Sequence, residues 1–227
     1  MLSDVLQYAG FEMITIIKHL QRFHGRFIKF LKSLFGRKTD IKLGLYGPTN
    51  SGKSTLANRI STDWIGEEIS KVSPIPHETR EVILKEKIVM ESSGKKLEFS
   101  LVDTPGIATK IDFEDFVRFG VRKKEAKKRA KEATKGVVDA IKWLDKMDLV
   151  IVVMDATKNP VDQVNVTLLG NLEARGIPVI IAANKIDLRK SDVLSIRNAF
   201  PGYKAVGISA KKGQNIKHLY KMIADSI

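Results

Sequence analysis

The residues with the most specific chemistry form one run, Gly47 to Ser54, which matches the pattern G-x-x-x-x-G-K-S. Glycine lets the backbone wrap closely around a ligand, so that successive N–H groups can face phosphate oxygens. Lys53 would place a cation on the β- and γ-phosphates of a nucleotide, and the Ser54 hydroxyl would bind Mg²⁺. The predicted nucleotide-binding residues of this run are Asn50, Ser51, Gly52, Lys53, Ser54 and Thr55.

A second run, Asn184-Lys185-Ile186-Asp187, indicates guanine as the base. It follows an apolar strand pattern, so it should lie at the carboxyl edge of a sheet, where ligands bind. The Asp187 carboxylate can accept hydrogen bonds from guanine N1–H and from the exocyclic amine, a pair of donors that adenine does not offer. Asn184 would brace the loop and contact the base, and the stem of Lys185 would lie over the face of the base.

Two further motifs each follow a strand pattern. In Asp103-Thr104-Pro105-Gly106, the aspartate would supply a carboxylate in the outer coordination sphere of Mg²⁺, and the Gly106 N–H would meet the γ-phosphate. In Ser209-Ala210-Lys211, the Ala210 N–H could donate a hydrogen bond to guanine O6. The second motif is weak alone, and its place as the fourth motif of the set makes it specific.

From Ile41 onward, strand patterns alternate with helical patterns, which predicts an α/β fold: a six-stranded, mostly parallel sheet with helices on both faces. The predicted strands are 41–46, 81–90, 96–102, 149–154, 178–183 and 203–208. The predicted helices are 53–60, 122–147, 164–175, 192–200 and 216–227. A short turn at 92–95 joins the second and third strands, so this pair should be an antiparallel hairpin.

With these motifs in this order, residues 41–227 resemble the G domain of translation-factor-related P-loop GTPases, most closely their Era-like branch. The resemblance implies a P-loop NTPase fold that binds GTP/GDP with Mg²⁺ and hydrolyses GTP to GDP and phosphate as a molecular switch. It also implies that Thr79, in Glu78-Thr79-Arg80, closes over Mg²⁺ and the γ-phosphate. The predicted metal-site residues are Ser54, Thr79 and Asp103, and the predicted catalytic residues are Lys53, Asn50, Thr79 and Gly106.

The residue after Gly106 is Ile107, where many GTPases carry a glutamine that orients the attacking water. Isoleucine cannot hydrogen-bond, so another group or another ion must organise that water. Asn50 resembles, in its position, an asparagine of some Era-like relatives that is a ligand for K⁺. This resemblance implies that K⁺ stimulates hydrolysis. The alternative is that Asn50 only shapes the loop.

Two basic stretches lie outside these motifs. Residues 1–40 have the pattern of a basic amphipathic helix, which packs on the G domain, lies on an anionic membrane, or binds a protein or ribosomal partner through residues 1–35. Residues 118–146 are expected to extend beyond the domain as a basic helical arm for RNA or the ribosome, the alternative being a solvated charged helix. We expect no KH domain of the kind that follows the G domain in Era, so no motif in these residues carries the RNA role of that family.

The composition limits the kinds of partner and of binding site that the protein can have. The chain has 227 residues, a net charge of +13 and no cysteine, which favours a polyanionic partner and excludes disulfides and thiolate metal sites. It contains no DNA-specific motif, and we expect a cytoplasmic location, with a membrane-peripheral one as the alternative. Three functions compete: a GTPase associated with RNA or the ribosome, a membrane-peripheral GTPase, and a protein-binding regulatory switch with little intrinsic hydrolysis.

Overall fold

The structure is a computed structural model that describes residues 41–73, 77–92, 94–108 and 110–227. The helix predicted within residues 1–40 lies outside the described residues. The strands are β1 (Ile41–Tyr46), β2 (Ile83–Ser92), β3 (Lys95–Asp103), β4 (Leu149–Asp155), β5 (Val179–Asn184) and β6 (Lys204–Ile208). The helices are α1 (Lys53–Ile65), α2 (Phe113–Arg118), α3 (Lys123–Trp143), α4 (Gln163–Ala174), α5 (Val193–Ala199) and α6 (Ile216–Ala224), and a 3₁₀ turn, Leu144–Lys146, follows α3.

The six strands form one sheet in the order β2-β3-β1-β4-β5-β6. β2 runs antiparallel to β3, and the other neighbouring pairs are parallel. The predicted mostly parallel sheet and its one hairpin are therefore confirmed. Because β1 lies between β3 and β4, the chain leaves β1 at the point where the strand order reverses, and ligands of open α/β sheets bind at this point.

The core lies on both faces of the sheet. All seven residues of β4 are buried, and successive side chains point to opposite faces. Ile151 belongs to an apolar cluster with Leu56 of α1 and Leu219 of α6, whereas Val152 belongs to a cluster on the other face with Leu168 of α4. Burial on both faces explains why β4 is a continuous apolar run instead of an alternating one.

Two helices differ most from the sequence prediction. α1 was predicted to end at Ile60 but continues to Ile65, and it ends at Gly66, whose φ of 76° suits a residue without a Cβ. α2 was not predicted, because six residues are too few to show a helical period. The local feature that marks the start of α2 is an N-terminal cap. The Asp112 carboxylate accepts a hydrogen bond from the Glu114 N–H at 3.0 Å.

The prediction of one basic helical arm over residues 118–146 is wrong in two respects. Arg118 ends α2, and α3 begins only at Lys123. The arm also does not project freely, because α3 packs its small residues against the domain. The buried residues of α3 are Ala126, Ala133, Gly136 and Ala140. Two of these alanines join Phe116 of α2 in an apolar cluster, and a Cβ at Gly136 would lie 2.2 Å from the Arg80 carbonyl oxygen. No helix in the part of the chain that the structure describes is long and apolar enough to cross a membrane.

Candidate functional site

The predicted phosphate-binding loop connects β1 to α1, and its path depends on glycine at two positions. Gly47 has a φ of 148°, and a Cβ there would lie 2.3 Å from the Val153 carbonyl oxygen. Gly52 has a φ of 97°, and a Cβ there would lie 2.2 Å from Nδ2 of Asn184. The loop therefore packs its bare backbone against β4 and β5 and leads into the N-terminus of α1, which is an arrangement that suits an anion.

Lys53 lies inside this loop. The side chain is buried at the start of α1, and Nζ donates a hydrogen bond to the Pro48 carbonyl at 2.9 Å. Burial lowers the pKa of Lys53 to about 8, while the Asp103 carboxylate acts in the opposite direction. A hydrogen bond between an ammonium and a phosphate oxygen is stronger than one to a neutral carbonyl, so Lys53 can exchange the Pro48 contact for a phosphate.

Three oxygen-bearing side chains meet beside Lys53. The hydroxyl oxygens of Ser54 and Thr79 are 2.9 Å apart, so the structure places Thr79, which the resemblance assigns to the metal site, against the phosphate-binding loop. Asp103 is fully buried at the end of β3, and its Oδ2 accepts a hydrogen bond from the Ser70 hydroxyl at 2.7 Å. The Ser54 hydroxyl also stabilises this carboxylate. Sequence reasoning missed Ser70, which has no motif of its own.

The unpaired oxygen of Asp103 indicates whether the corner formed by Ser54, Thr79 and Asp103 fits a metal ion. Asp103 Oδ1 is buried without a hydrogen-bond partner among the described residues. Burial raises the pKa of Asp103, although the Ser70 hydrogen bond and the charge of Lys53 oppose the rise. An unpaired buried carboxylate oxygen with two hydroxyls nearby is a set of hard oxygen donors, and this set fits Mg²⁺.

Asn184 joins two loops on the base side of the site. Its Nδ2 donates to the Ser51 carbonyl at 2.9 Å, and its Oδ1 accepts from the Ala210 N–H at 3.0 Å. The predicted bracing role of Asn184 therefore has a geometric basis. The Ala210 N–H, which the sequence assigned to guanine O6, donates to Asn184 in this structure. The neighbouring segment is fixed from α1, because Arg59 donates to the carbonyl groups of Ala210 and Lys211 at 3.2 Å each.

Lys185 has a partner that sequence reasoning missed. Its Nζ lies 2.6 Å from Oδ2 of Asp155 and donates to the Asn50 carbonyl at 2.7 Å. Burial alone would raise the pKa of Asp155, but hydrogen bonds from Lys185 and Thr157 hold that pKa below its usual value. The available signal was position, since Asp155 ends β4 beside Asn184 of β5.

Asp187 and Ser209 complete the predicted base-reading residues. Asp187 lies in a turn that the Leu188 N–H closes onto the Lys185 carbonyl, and its side chain is exposed. Ser209 is buried, and its Oγ accepts a hydrogen bond from the Lys212 N–H at 3.1 Å. The Asp187 carboxylate is thus available for a base, while Ser209 shapes the loop that carries Ala210.

The Asp103–Gly106 segment is joined directly to the phosphate-binding loop. The Ile107 N–H donates to the Gly47 carbonyl at 3.1 Å, and the Thr49 N–H donates to the Ile107 carbonyl at 3.3 Å. A Cβ at Gly106 would lie 2.8 Å from Cα of Thr49. The side chain of Ile107 packs against the apolar cluster that contains Val152. Ile107 therefore serves the fold, and it presents no polar group to the site.

A cleft of about 390 Å³ lies over these residues. Its lining includes the predicted site residues Asn50, Gly52, Lys53, Ser54, Thr55, Thr79, Gly106 and Lys185. It also includes Thr49 and His77, to which the sequence assigned no function. Asp187 and residues 209–211 do not line it, so the cleft corresponds to the phosphate side of the predicted nucleotide site.

Residues 42–185 match the model of a protein family described as 50S ribosome-binding GTPase. This match covers more than half of the chain and includes the phosphate-binding loop, Thr79, the Asp103–Gly106 segment and the start of the base-reading loop. The chain belongs to the 50S ribosome-binding GTPase family. The predicted resemblance to Era-like P-loop GTPases is thereby confirmed, and so is the predicted fold class.

Individual relatives and solved structures resemble the chain over most of its length. GTPase Der of Stenotrophomonas maltophilia (strain R551-3) is 29% identical over 240 residues, which is 97% of this chain and 46% of that protein. An Era variant of Aquifex aeolicus, bound to GDP.AlF4⁻, has a TM-score of 0.63 and 23% identity, covering 84% of this chain and 57% of that chain. Era in complex with MgGDPNP and nucleotides 1506–1542 of 16S ribosomal RNA has a TM-score of 0.62 and 25% identity over the same shares. The chain spans less than half the length of the curated relatives it matches.

Proposed function

We propose that this chain binds GTP with Mg²⁺ and hydrolyses GTP to GDP and phosphate as a molecular switch. The observation that carries the proposal is the meeting of Ser54 and Thr79, at 2.9 Å, beside the buried ammonium of Lys53. One corner of the cleft thus gathers hydroxyl donors for a metal ion and a cation for phosphate. Membership in the 50S ribosome-binding GTPase family supports the same function.

The chain's own groups supply binding and positioning. The backbone N–H groups of the loop and of the start of α1 would hold the phosphates, and Lys53 would contact the β- and γ-phosphate oxygens. Ser54, Thr79 and Asp103 would hold Mg²⁺, which when bound neutralises phosphate charge. Hydrolysis of this kind forms no covalent enzyme intermediate, so its rate depends on placing water and on stabilising the developing charge.

The switch would consist of the segments that carry Thr79 and Gly106. Both lie against the phosphate-binding loop, Thr79 through Ser54 and Gly106 through Thr49. A γ-phosphate would hold both segments, and its loss on hydrolysis would release them. Arg80 would transmit this change to α3, because its Nη1 donates to Glu132 at 3.0 Å.

K⁺ stimulation through Asn50 is a finer part of the proposal. Asn50 lines the cleft and is exposed, while its backbone carbonyl holds Lys185. Its carboxamide oxygen is a ligand type that suits a hard monovalent cation. The alternative role in shaping the loop has support too, since Asn50 has a φ of 60° and asparagine tolerates that region better than most residues do.

The decisive experiment is hydrolysis of GTP and of ATP by the whole chain and by its Lys53→Ala variant, in Mg²⁺ buffer. We expect hydrolysis of GTP only, and at least a roughly 100-fold loss on removing Lys53, in the range found when one group that stabilises the transition state is removed. Lys204→Ala is the control, since Lys204 begins β6 at the opposite edge of the sheet. Equal turnover of ATP, or full activity of Lys53→Ala, would contradict the proposal.

An RNA or ribosomal partner is the first candidate for what the switch controls. α3 has an exposed basic stripe at helical spacing, opposite the buried small residues that dock it. The lysines of this stripe are Lys124, Lys128, Lys131 and Lys135. Era, a structural neighbour, has been solved with a segment of 16S ribosomal RNA. A cytoplasmic location would accompany such a role.

A charge-matched comparison tests this partner. Changing Lys124, Lys131 and Lys135 to glutamine should weaken binding to a mixed-sequence single-stranded RNA and lower the salt slope, by about 0.7 for each phosphate that is no longer neutralised. The control changes three exposed lysines of β6 and α6, namely Lys204, Lys217 and Lys221, to glutamine. Equally weakened binding in both variants would mean that only net charge matters.

The other two candidates have their own readouts. Sedimentation with phosphatidylserine vesicles that disappears when residues 1–35 are removed would support the membrane-peripheral GTPase. Tight GTP binding with very low turnover, even in K⁺, would support the protein-binding regulatory switch. Either result, together with no binding to RNA, would displace the RNA-associated role.

A further inference from the structure

His77 is the one buried imidazole in the described part of the cleft. It precedes Thr79 by two residues and lines the cleft with Lys53 and Gly106. Its relative exposure is 8%. Its φ is 55°, in the left-handed region, where histidine is found more often than most residues. Buried polar residues with a strained backbone are found preferentially in active sites.

The contacts of the ring place it between the two glycine-bearing loops. Nε2 lies 3.4 Å from Oγ1 of Thr49, in the phosphate-binding loop. The ring also has a backbone hydrogen bond with Gly106, and the ring of Phe116 packs at 6.2 Å between centroids. His77 thus stands at the junction where Thr49 and Gly106 approach each other.

One nitrogen of this ring remains without a hydrogen bond. Nδ1 is buried and has no hydrogen-bond partner within the described ranges. Leaving a buried polar atom unpaired is costly, so such an atom points to a ligand that completes the site. Ile107, which follows Gly106, cannot bind such a ligand through a polar group. Its side chain packs in the apolar cluster on the face of the sheet that carries α4.

We propose that His77 orients the water that attacks the γ-phosphate of GTP, in the role that Ile107 cannot perform. This inference rests on the proposed GTPase function. The water oxygen bonds to the γ-phosphorus, and the bond from that phosphorus to the β–γ bridging oxygen breaks with its electron pair going to GDP. The proton of the water leaves with the phosphate product, so His77 accepts a hydrogen bond and ends the step unchanged.

The two nitrogens of an imidazole ring suit this role. A neutral imidazole has one N–H donor and one acceptor nitrogen. Nε2 is directed at Thr49, so Nδ1, buried and without a partner among the described residues, is the nitrogen left to accept a hydrogen bond from the water.

The test compares His77→Phe with His77→Gln in single-turnover hydrolysis, with the protein in excess over GTP and with saturating Mg²⁺. Phenylalanine keeps the ring without nitrogen, so we expect the hydrolysis rate to fall by about 10²-fold, the range for removal of one orienting or proton-accepting group. Glutamine restores an acceptor and should recover most of the rate. The affinities for GDP and for a non-hydrolysable GTP analogue should stay within about twofold, since the group acts on water. His218→Phe, in an exposed position of α6, is the matched control.

A second readout separates this role from a structural one. Binding of GDP with aluminium fluoride, which mimics the transferring phosphoryl group, should be abolished in His77→Phe and kept in His77→Gln. A normal rate in His77→Phe would overturn the proposal. So would equally slow hydrolysis in the Phe and Gln variants accompanied by weaker GDP binding, which would make His77 a packing residue. If His77→Phe does not fold, the Gln and Ala variants decide in the same way. If the unaltered chain does not hydrolyse GTP, the proposed function itself fails.

Discussion

The hydroxyl oxygens of Ser54 and Thr79 lie 2.9 Å apart, although 25 residues separate them in the chain. Ser54 belongs to α1, while Thr79 lies on the segment before β2. The contact closes this segment over the phosphate-binding loop. It therefore links the position of the segment to whatever occupies the metal corner.

Thr79→Ala should raise the Mg²⁺ concentration needed for half-maximal GTP hydrolysis by about 10- to 100-fold, the cost typical of removing a group that supports a metal site. GDP affinity should change little, because under the proposed function Thr79 would be released when the γ-phosphate is absent. Thr79→Ser keeps the hydroxyl and should restore the Mg²⁺ dependence. The measurement is the hydrolysis rate as a function of Mg²⁺ concentration. The control is Thr134→Ala, at an exposed position of α3. An unchanged Mg²⁺ requirement would remove Thr79 from the metal site.

Gly52→Ala should abolish tight nucleotide binding and lower the free energy of unfolding by about 1–3 kcal/mol. The added Cβ would lie 2.2 Å from Nδ2 of Asn184 at a φ of 97°, so both the loop and the base side must shift. Gly202→Ala is the matched control, because a Cβ there meets no atom within 4 Å. Urea unfolding and titration with a fluorescent guanine nucleotide measure the two effects. Equal stability of the two variants would mean that the close contact is easily relieved.

Asp155→Asn should weaken GDP and GTP binding by a similar factor, about tenfold, since a charged hydrogen bond contributes roughly 1.5–3 kcal/mol. Asp155 holds Lys185 at 2.6 Å, and the stem of Lys185 is predicted to lie over the base, which GDP and GTP share. The hydrolysis rate of bound GTP should change little. Equilibrium binding of both nucleotides and single-turnover hydrolysis give the comparison. Selective weakening of GTP binding would instead place Asp155 with the γ-phosphate.

Asn50→Gly should make GTP hydrolysis equally fast in K⁺ and in Na⁺. Glycine tolerates the φ of 60° observed at this position but lacks the carboxamide oxygen, so the substitution tests ion binding apart from loop shape. The measurement is the ratio of hydrolysis rates in the two salts for the unaltered chain and for the variant. A ratio of one in the unaltered chain would end the K⁺ hypothesis. A K⁺ preference that survives in Asn50→Gly would assign the ion to other ligands.

Much of the architecture could be predicted because its signals are local. Strand β1 was predicted at its observed bounds, and the hairpin of β2 and β3 followed from the short turn between them. Helix ends were less certain, because a cap such as Gly66 is a single residue whose backbone angle the sequence does not reveal. The short helix α2 was not predicted for the same reason, since its cap at Asp112 is also a single residue.

The candidate site shows the same division between local and distant information. The phosphate-binding loop, the run predicted to read guanine and the fold that positions them could be predicted from the amino-acid sequence, because each depends on residue types at short fixed spacings. The contact of Asp155 with Lys185, the docking of α3 through Gly136 and the buried, unpaired Nδ1 of His77 became visible only in the folded chain. Those relationships join residues far apart in the chain, and they arise from packing against the sheet, which no local pattern encodes.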